Sequence, residues 1–89
     1  MFHSINAYTG ETLCRHPAQS YAEFAQELAA LKVRQQAFAR LGVTGRTALL
    51  QAFAERLAQN KERLAEMVCE EVGRCLHECR AELDKSVEL

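Results

Sequence analysis

The interpretation of the stretch Glu70–Ser86, "EEVGRCLHECRAELDKS", decides which fold is predicted for this chain. The stretch is compatible with two different structures. It directly follows Cys69 and contains two further cysteines, a histidine and several carboxylates, so it could be a metal site. It could equally be the end of one helix, a glycine and the start of the next helix. A glycine just past a helix is a common stop, because it adopts a positive φ at little cost.

The spacing of the ligand types argues against metal. Cys75 and Cys79 are four residues apart and share a helix face, whereas His77 lies between them and points elsewhere. Cys69 belongs to the preceding helix, before Gly73. Structural zinc sites usually bring C-x2-4-C pairs from turns, and this stretch has one usable pair and no second. We therefore predict no metal-binding residue, and we expect these cysteines to be small apolar side chains.

Catalytic chemistry has equally weak support here. Cys75 near a helix N-terminus would favour a thiolate, but no recognisable base or oxyanion hole accompanies it. The acidic residues are expected to form a solvated helix surface, and paired carboxylates for acid–base work remain an open alternative. These residues are Glu70, Glu71, Glu78, Glu82 and Asp84.

Composition limits the function classes further. The chain has 89 residues, at most one domain, and 11 basic against 12 acidic residues, so nucleic acid is not an expected partner. No apolar run approaches the roughly 20 residues that span a bilayer, and the N-terminus lacks a signal-peptide pattern. We expect a cytoplasmic protein without a membrane partner, in which the 4 cysteines are reduced thiols.

The hydrophobic pattern predicts a mostly α fold with a β-hairpin or extended arm at its N-terminus. Thr9-Gly10 marks a turn between two short β-type stretches, and Ser20 with Glu23 has capping-box spacing. Gly42 is expected to stop the first helix, Thr44 and Asn60 to cap the next two, and Gly73 to stop the third. The predicted single partial domain, 1–89, comprises a β arm at 1–18 and helices at 20–41, 44–59, 61–72 and 74–89.

The same pattern predicts which helix faces are buried. Leu64, Met67 and Val68 should form the buried side of the third helix, and Arg74 is a natural local partner for Glu78. The apolar face of the fourth helix is predicted to consist of Leu76, Cys79, Leu83 and Val87.

Three segments taken in order resemble a known family: "INAYTGE", "QQAFARLGVTGRTALLQAFAERL" and "LAEMVCEEVGRCLHECRAELDKS". They are similar to the N-terminal region of the aldehyde dehydrogenase superfamily. Asn6–Glu11 matches its Asn-Pro-x-Thr-Gly-Glu opening, with Ala7 in place of proline. Arg46 matches the arginine that opens its next helix, and Glu71–Arg74 matches its Glu-x-Gly-Lys. The third segment looks closest to the succinate-semialdehyde dehydrogenase-like branch.

The resemblance implies a partial enzyme. In that family the NAD or NADP site, the catalytic cysteine, the glutamate base and the oligomerisation strand all lie beyond the region matched. We therefore expect no catalytic residue, no cofactor-binding residue and no cofactor in this chain, which alone should be inactive. The resemblance implies a truncated or partial NAD(P)-dependent aldehyde dehydrogenase whose helices would cover one face of the nucleotide-binding sheet.

Helices without that sheet would expose apolar faces, and such faces tend to associate. We therefore expect a homo-oligomer in which seven apolar residues are buried within or between chains. They are Tyr21, Phe24, Phe38, Phe53, Leu57, Leu64 and Leu83. The alternative is a free-standing helical interaction module without enzymatic activity, and a small thiol or zinc protein is a third hypothesis.

Overall fold

A computed structural model describes residues 1–88 of the chain. Two strands, β1 (Phe2–Ile5) and β2 (Thr12–His16), precede four helices: α1 (Tyr21–Arg40), α2 (Gly42–Gln59), α3 (Lys61–Val72) and α4 (Leu76–Glu88). The mostly α class with an N-terminal hairpin is confirmed. Over these residues, no helix combines the length and hydropathy that crossing a bilayer requires.

The hairpin is antiparallel and contains one irregularity. Phe2 pairs with His16, and Ser4 with Cys14, but Ile5 pairs with Thr12, so Leu13 is the extra residue of a β-bulge. A two-stranded hairpin is marginal alone in water, and here β1 lies against α3.

The start and end of α1 follow the sequence closely. The Ser20 hydroxyl accepts from the Glu23 amide at 3.2 Å, and the Ser20 amide donates to the Glu23 carboxylate at 3.0 Å, which completes the predicted capping box. Gly42 has φ of 73°, the left-handed conformation expected where a helix stops.

One predicted cap, Thr44, is wrong, and the other, Asn60, is confirmed in position but not in its side-chain bond. The α2 helix begins at Gly42 with Leu41 as its N-cap, and no side-chain bond caps it, so Thr44 lies inside the helix. Asn60 does separate α2 from α3, but its side chain makes no N-cap bond. Instead, its amide nitrogen donates to the Arg56 carbonyl at 2.9 Å and so satisfies the end of α2. The fourth helix begins at Leu76, two residues after the predicted start.

The core is small and lies between α3 and α4. Among residues 1–88, the buried side chains are Ala65 of α3 and Cys79 of α4. Leu76, Leu83 and Val87 are half-buried with Cys79, which confirms the predicted face of α4. Leu64 and Val68 are half-buried too, but Met67 is 46% exposed, so its predicted burial is wrong. Ala65, at 0% exposure, is the buried residue of α3 instead.

The molecule is flat and extended. Its principal-axis extents are 46 × 36 × 14 Å, so one dimension is less than half of either of the others. Every residue of α1 is exposed. Of the seven residues expected to be buried, Leu57, Leu64 and Leu83 are half-buried within the chain, whereas Tyr21, Phe24, Phe38 and Phe53 are exposed.

Candidate functional site: the N-terminal turn against the Gly73 junction

The hairpin turn, Asn6–Glu11, is fixed by its own polar groups. The Asn6 carboxamide oxygen accepts from the amides of Tyr8 at 2.8 Å and Thr9 at 3.0 Å. The Gly10 amide donates to the Asn6 carbonyl at 2.9 Å, and Gly10 has φ of 77°. Asparagine and glycine are typical of such turns, because an Asx side chain mimics the backbone and glycine accepts a positive φ.

This turn contacts the end of α3, more than sixty residues later. The Ala7 amide donates to the Glu70 carbonyl at 2.7 Å. The Tyr8 hydroxyl donates to the Arg74 carbonyl at 3.1 Å and lies 3.9 Å from the Cys69 sulfur. These bonds satisfy carbonyl groups at and just beyond the end of α3, where the helix can no longer pair its own.

Gly73 is required at the junction for two reasons. Its φ is 77°, and its amide donates to the Cys69 carbonyl at 2.9 Å, so it ends α3 in a left-handed conformation. A Cβ at this position would lie 3.1 Å from the Ala7 Cβ, closer than ordinary van der Waals contact. The glycine therefore allows both the chain reversal and the approach of the turn. The "EVGR" motif is thus placed against the "NAYTGE" motif in space.

The thiols of Cys69, Cys75 and Cys79 lie near this junction, in different environments. Cys79 is buried at 1% exposure, and burial raises the pKa of its thiol. Cys75 is exposed and Cys69 is half-buried, and all four cysteines of the chain, Cys14 included, are free. A raised pKa disfavours the thiolate, so Cys79 is not an activated nucleophile.

Tyr8 responds to the same neighbours. The hydrogen bond with Cys69, followed by partial desolvation, raises the pKa of the Tyr8 phenol above its ordinary value of 10.0. The phenol is therefore held in its neutral form, in which it donates to the Arg74 carbonyl.

Ion pairs connect the helices around the junction. Arg74 pairs with Glu82 rather than with the predicted Glu78, because α4 begins after Arg74 and the two residues no longer share a helix. Arg80 binds both carboxylate oxygens of Glu62, at 2.9 and 3.0 Å, and this bond raises the pKa of the guanidinium. These exposed pairs orient α3 and α4 and contribute little stability individually.

The sequence-selected metal residues are distributed around this junction without forming a cluster. Within residues 1–88, no three of the His, Cys, Asp and Glu side chains are arranged to hold a metal ion. What the sequence did not indicate is the role of Tyr8. Its position in the turn motif carries no signal that its hydroxyl reaches Arg74.

The whole chain, residues 1–89, matches the aldehyde dehydrogenase family profile. A malonate-semialdehyde dehydrogenase of Listeria monocytogenes serotype 4b (strain F2365) is 37% identical over 87 residues, which cover 94% of this chain and 17% of that protein. The succinate-semialdehyde dehydrogenase [NADP(+)] of Deinococcus radiodurans is 32% identical over 85 residues, covering 92% of this chain and 17% of the relative.

A malonate-semialdehyde dehydrogenase 2 of Shouchella clausii is 28% identical over 83 residues. No solved structure matches the chain at a significant level. The chain spans 17% of the length of the curated relatives it matches. The resemblance noted in the sequence is confirmed, and this chain belongs to the aldehyde dehydrogenase family.

Proposed function

We propose that this chain is an N-terminal scaffold segment of an NAD(P)-dependent semialdehyde dehydrogenase and contributes no catalytic, cofactor-binding or metal-binding residue. The relatives are named for malonate and succinate semialdehyde, short aldehydes that carry a carboxylate, and one of them is named for NADP(+). A substrate of this chemical class and a dinucleotide cofactor are therefore proposed for the complete enzyme. The cofactor would accept the hydride that leaves the aldehyde carbon.

The observation that carries the scaffold role is the amount of uncovered surface. The accessible surface is 7434 Å², whereas a compact protein of 10.0 kDa would have about 5,200 Å². The radius of gyration is 17.0 Å, against about 12 Å for a compact chain of this length. The excess of about 2,200 Å² is as large as a stable protein–protein interface. The chain therefore has the surface of a layer that covers a larger body.

The chemistry of the junction supports the same role. The Tyr8 hydroxyl donates to the Arg74 carbonyl, and the Glu70 carbonyl accepts from the Ala7 amide. The Arg74 side chain pairs with Glu82, so each of these polar groups has a partner within the chain. Cys79 is buried with a raised pKa, the opposite of an activated nucleophile. The junction joins α3 to α4, and within residues 1–88 we identify no acid–base pair in it.

A chimera tests the proposal. The matching segment of the Listeria malonate-semialdehyde dehydrogenase would be replaced by this chain, and kcat/KM would be measured with malonate and succinate semialdehyde. A scaffold predicts that the chimera keeps the recipient's substrate preference and loses no more than about tenfold in kcat/KM. The isolated chain, assayed in parallel, should neither bind NADP nor oxidise either aldehyde. Oxidation by the isolated chain, or a reversed preference in the chimera, would contradict the proposal.

Self-association of the isolated chain is the second candidate. It is supported by the exposed apolar side chains of α1 and α2, which include Phe24 at 52%, Leu28 at 55% and Phe53 at 62%. Sedimentation of the purified chain over a range of concentrations tests this candidate. A single monomeric species at every concentration would contradict it and would leave the scaffold proposal unaffected.

A further inference from the structure

The helix α1 carries a heptad pattern over its length. Tyr21, Phe24, Leu28, Leu31 and Phe38 follow one another at alternating steps of three and four residues, with Gln35 at the one polar position of the series. With Tyr21 as position a, these residues occupy the a and d positions of a coiled-coil seam. Leu28 and Leu31 are each 55% exposed, so the middle of the seam is uncovered.

Among residues 1–88, the side chains along this seam are exposed. The α1 helix is 20 residues long, about 30 Å, and its C-terminal end joins α2. There the Arg46 guanidinium donates to the Ala39 carbonyl at 2.9 Å. Most of the stability of a helix in a protein comes from packing of its apolar face, so α1 gains from a second helix along its exposed part.

We infer that two copies of this chain pair through α1 in antiparallel orientation, a mode of self-association that rests on the second candidate function proposed above. Glu27 and Arg34 both occupy position g, on the same side of the seam. An antiparallel overlay centred between residues 29 and 30 places Glu27 of each copy against Arg34 of the other. Opposed helix dipoles add to the attraction.

The same overlay matches the apolar residues. Leu28 faces Leu31 at the centre, and Tyr21 faces Phe38 at each end of the seam. Gln35 faces Phe24, a polar position that fixes register at some cost in stability.

Charge selects this register over its neighbours. A shift of one heptad in one direction places Arg34 against Arg34, and a shift in the other places Glu27 against Glu27. Both are repulsive. A parallel pair would instead bring Glu27 to Lys32 and Arg34 to Ala39. In the antiparallel pair, Lys32 faces only Ala25. Substitutions at Arg34 and Lys32 therefore distinguish the antiparallel pair from the parallel pair.

Three variants of the full chain test the pairing by sedimentation equilibrium. Arg34→Glu should raise the dimer dissociation constant about tenfold, because two attractive contacts become repulsive. The double variant Glu27→Arg/Arg34→Glu should restore it. Lys32→Glu is the matched control with the same charge change, and it should leave the constant unchanged. These side chains are exposed, and circular dichroism would verify that helix content is retained.

The outcomes are distinct. A dimer that is insensitive to Arg34→Glu but weakened by Lys32→Glu would overturn the antiparallel pairing. A dimer whose dissociation constant is unchanged by both Arg34→Glu and Lys32→Glu would overturn pairing through α1. The second candidate function, self-association, would then be retained. A wild-type chain that stays monomeric would overturn the inference together with the second candidate, and the chimera assay would still decide the scaffold proposal independently.

Discussion

Replacing Gly73 with alanine should undock the N-terminal turn from α3. The new Cβ would meet the Ala7 Cβ at 3.1 Å, and the residue would keep a φ of 77°. The left-handed backbone costs about 1–2 kcal/mol, which is offset by about 0.4–1 kcal/mol from the stiffer unfolded chain. Overpacking against Ala7 adds about 1 kcal/mol. This is the low end of the usual cost of overpacking, because the turn can move away from the new Cβ. The expected total is about 2 kcal/mol.

Gly42→Ala is the matched control, since Gly42 has φ of 73° and open space at its Cβ. It should cost only the backbone part, about 1 kcal/mol. Amide hydrogen exchange of Ala7, whose amide is bonded to the Glu70 carbonyl, reports docking directly. In Gly73→Ala its protection should fall at least fivefold further than in Gly42→Ala, and Ala7→Gly should restore part of the loss. Equal effects of the two alanine variants on this amide would refute the steric argument.

Three further predictions concern the surroundings of the junction. The folded state favours the neutral Tyr8 phenol, so ultraviolet titration should place the ionisation of Tyr8 above pH 10.0. Docking of the turn should be lost as the pH rises through this raised pKa. A Tyr8→Phe variant shows which part of the absorbance change belongs to Tyr8. Cys79 should be the last thiol alkylated by iodoacetamide in the folded chain, because it is 1% exposed and burial raises its pKa. Peptide mass spectra measure the alkylation of each cysteine, and in denaturant Cys79 should react as fast as the other thiols. Glu62→Gln should lower the melting temperature by only about 1–4 °C, and less in 1 M salt, because the Glu62–Arg80 pair is exposed; a salt-independent drop would point to a packing role instead.

Local signals in the sequence were sufficient for the elements themselves. Ser20 with Glu23, Gly42 and Gly73 act through the backbone of their own turn, so their roles could be predicted without tertiary structure. The face of α4 was equally predictable, because helical spacing alone brings Leu76 and Cys79 together.

The wrong or missing predictions concern polar side chains that bind an element other than the one their local sequence favours. The Asn60 side chain binds the Arg56 carbonyl of the preceding helix, although its N-cap propensity favoured the following one. Arg74 pairs with Glu82 and not with the predicted Glu78, because α3 ends at Gly73 and Arg74 lies outside a helix. The Tyr8 contact with Arg74 depends on the docking of the hairpin, which no local pattern encodes.

The contact between the hairpin turn and the Gly73 junction also sets the order in which this chain can fold. Tyr8 and Arg74 are 66 residues apart, so their contact closes a long loop, whereas the capping box and the helix stops form within a few residues. On the ribosome the turn emerges first, but its binding surface follows roughly 3–13 s later at ordinary rates of synthesis. For that interval the exposed strand edges of the hairpin have no cover, and chaperones or neighbouring nascent chains can reach them before α3 does.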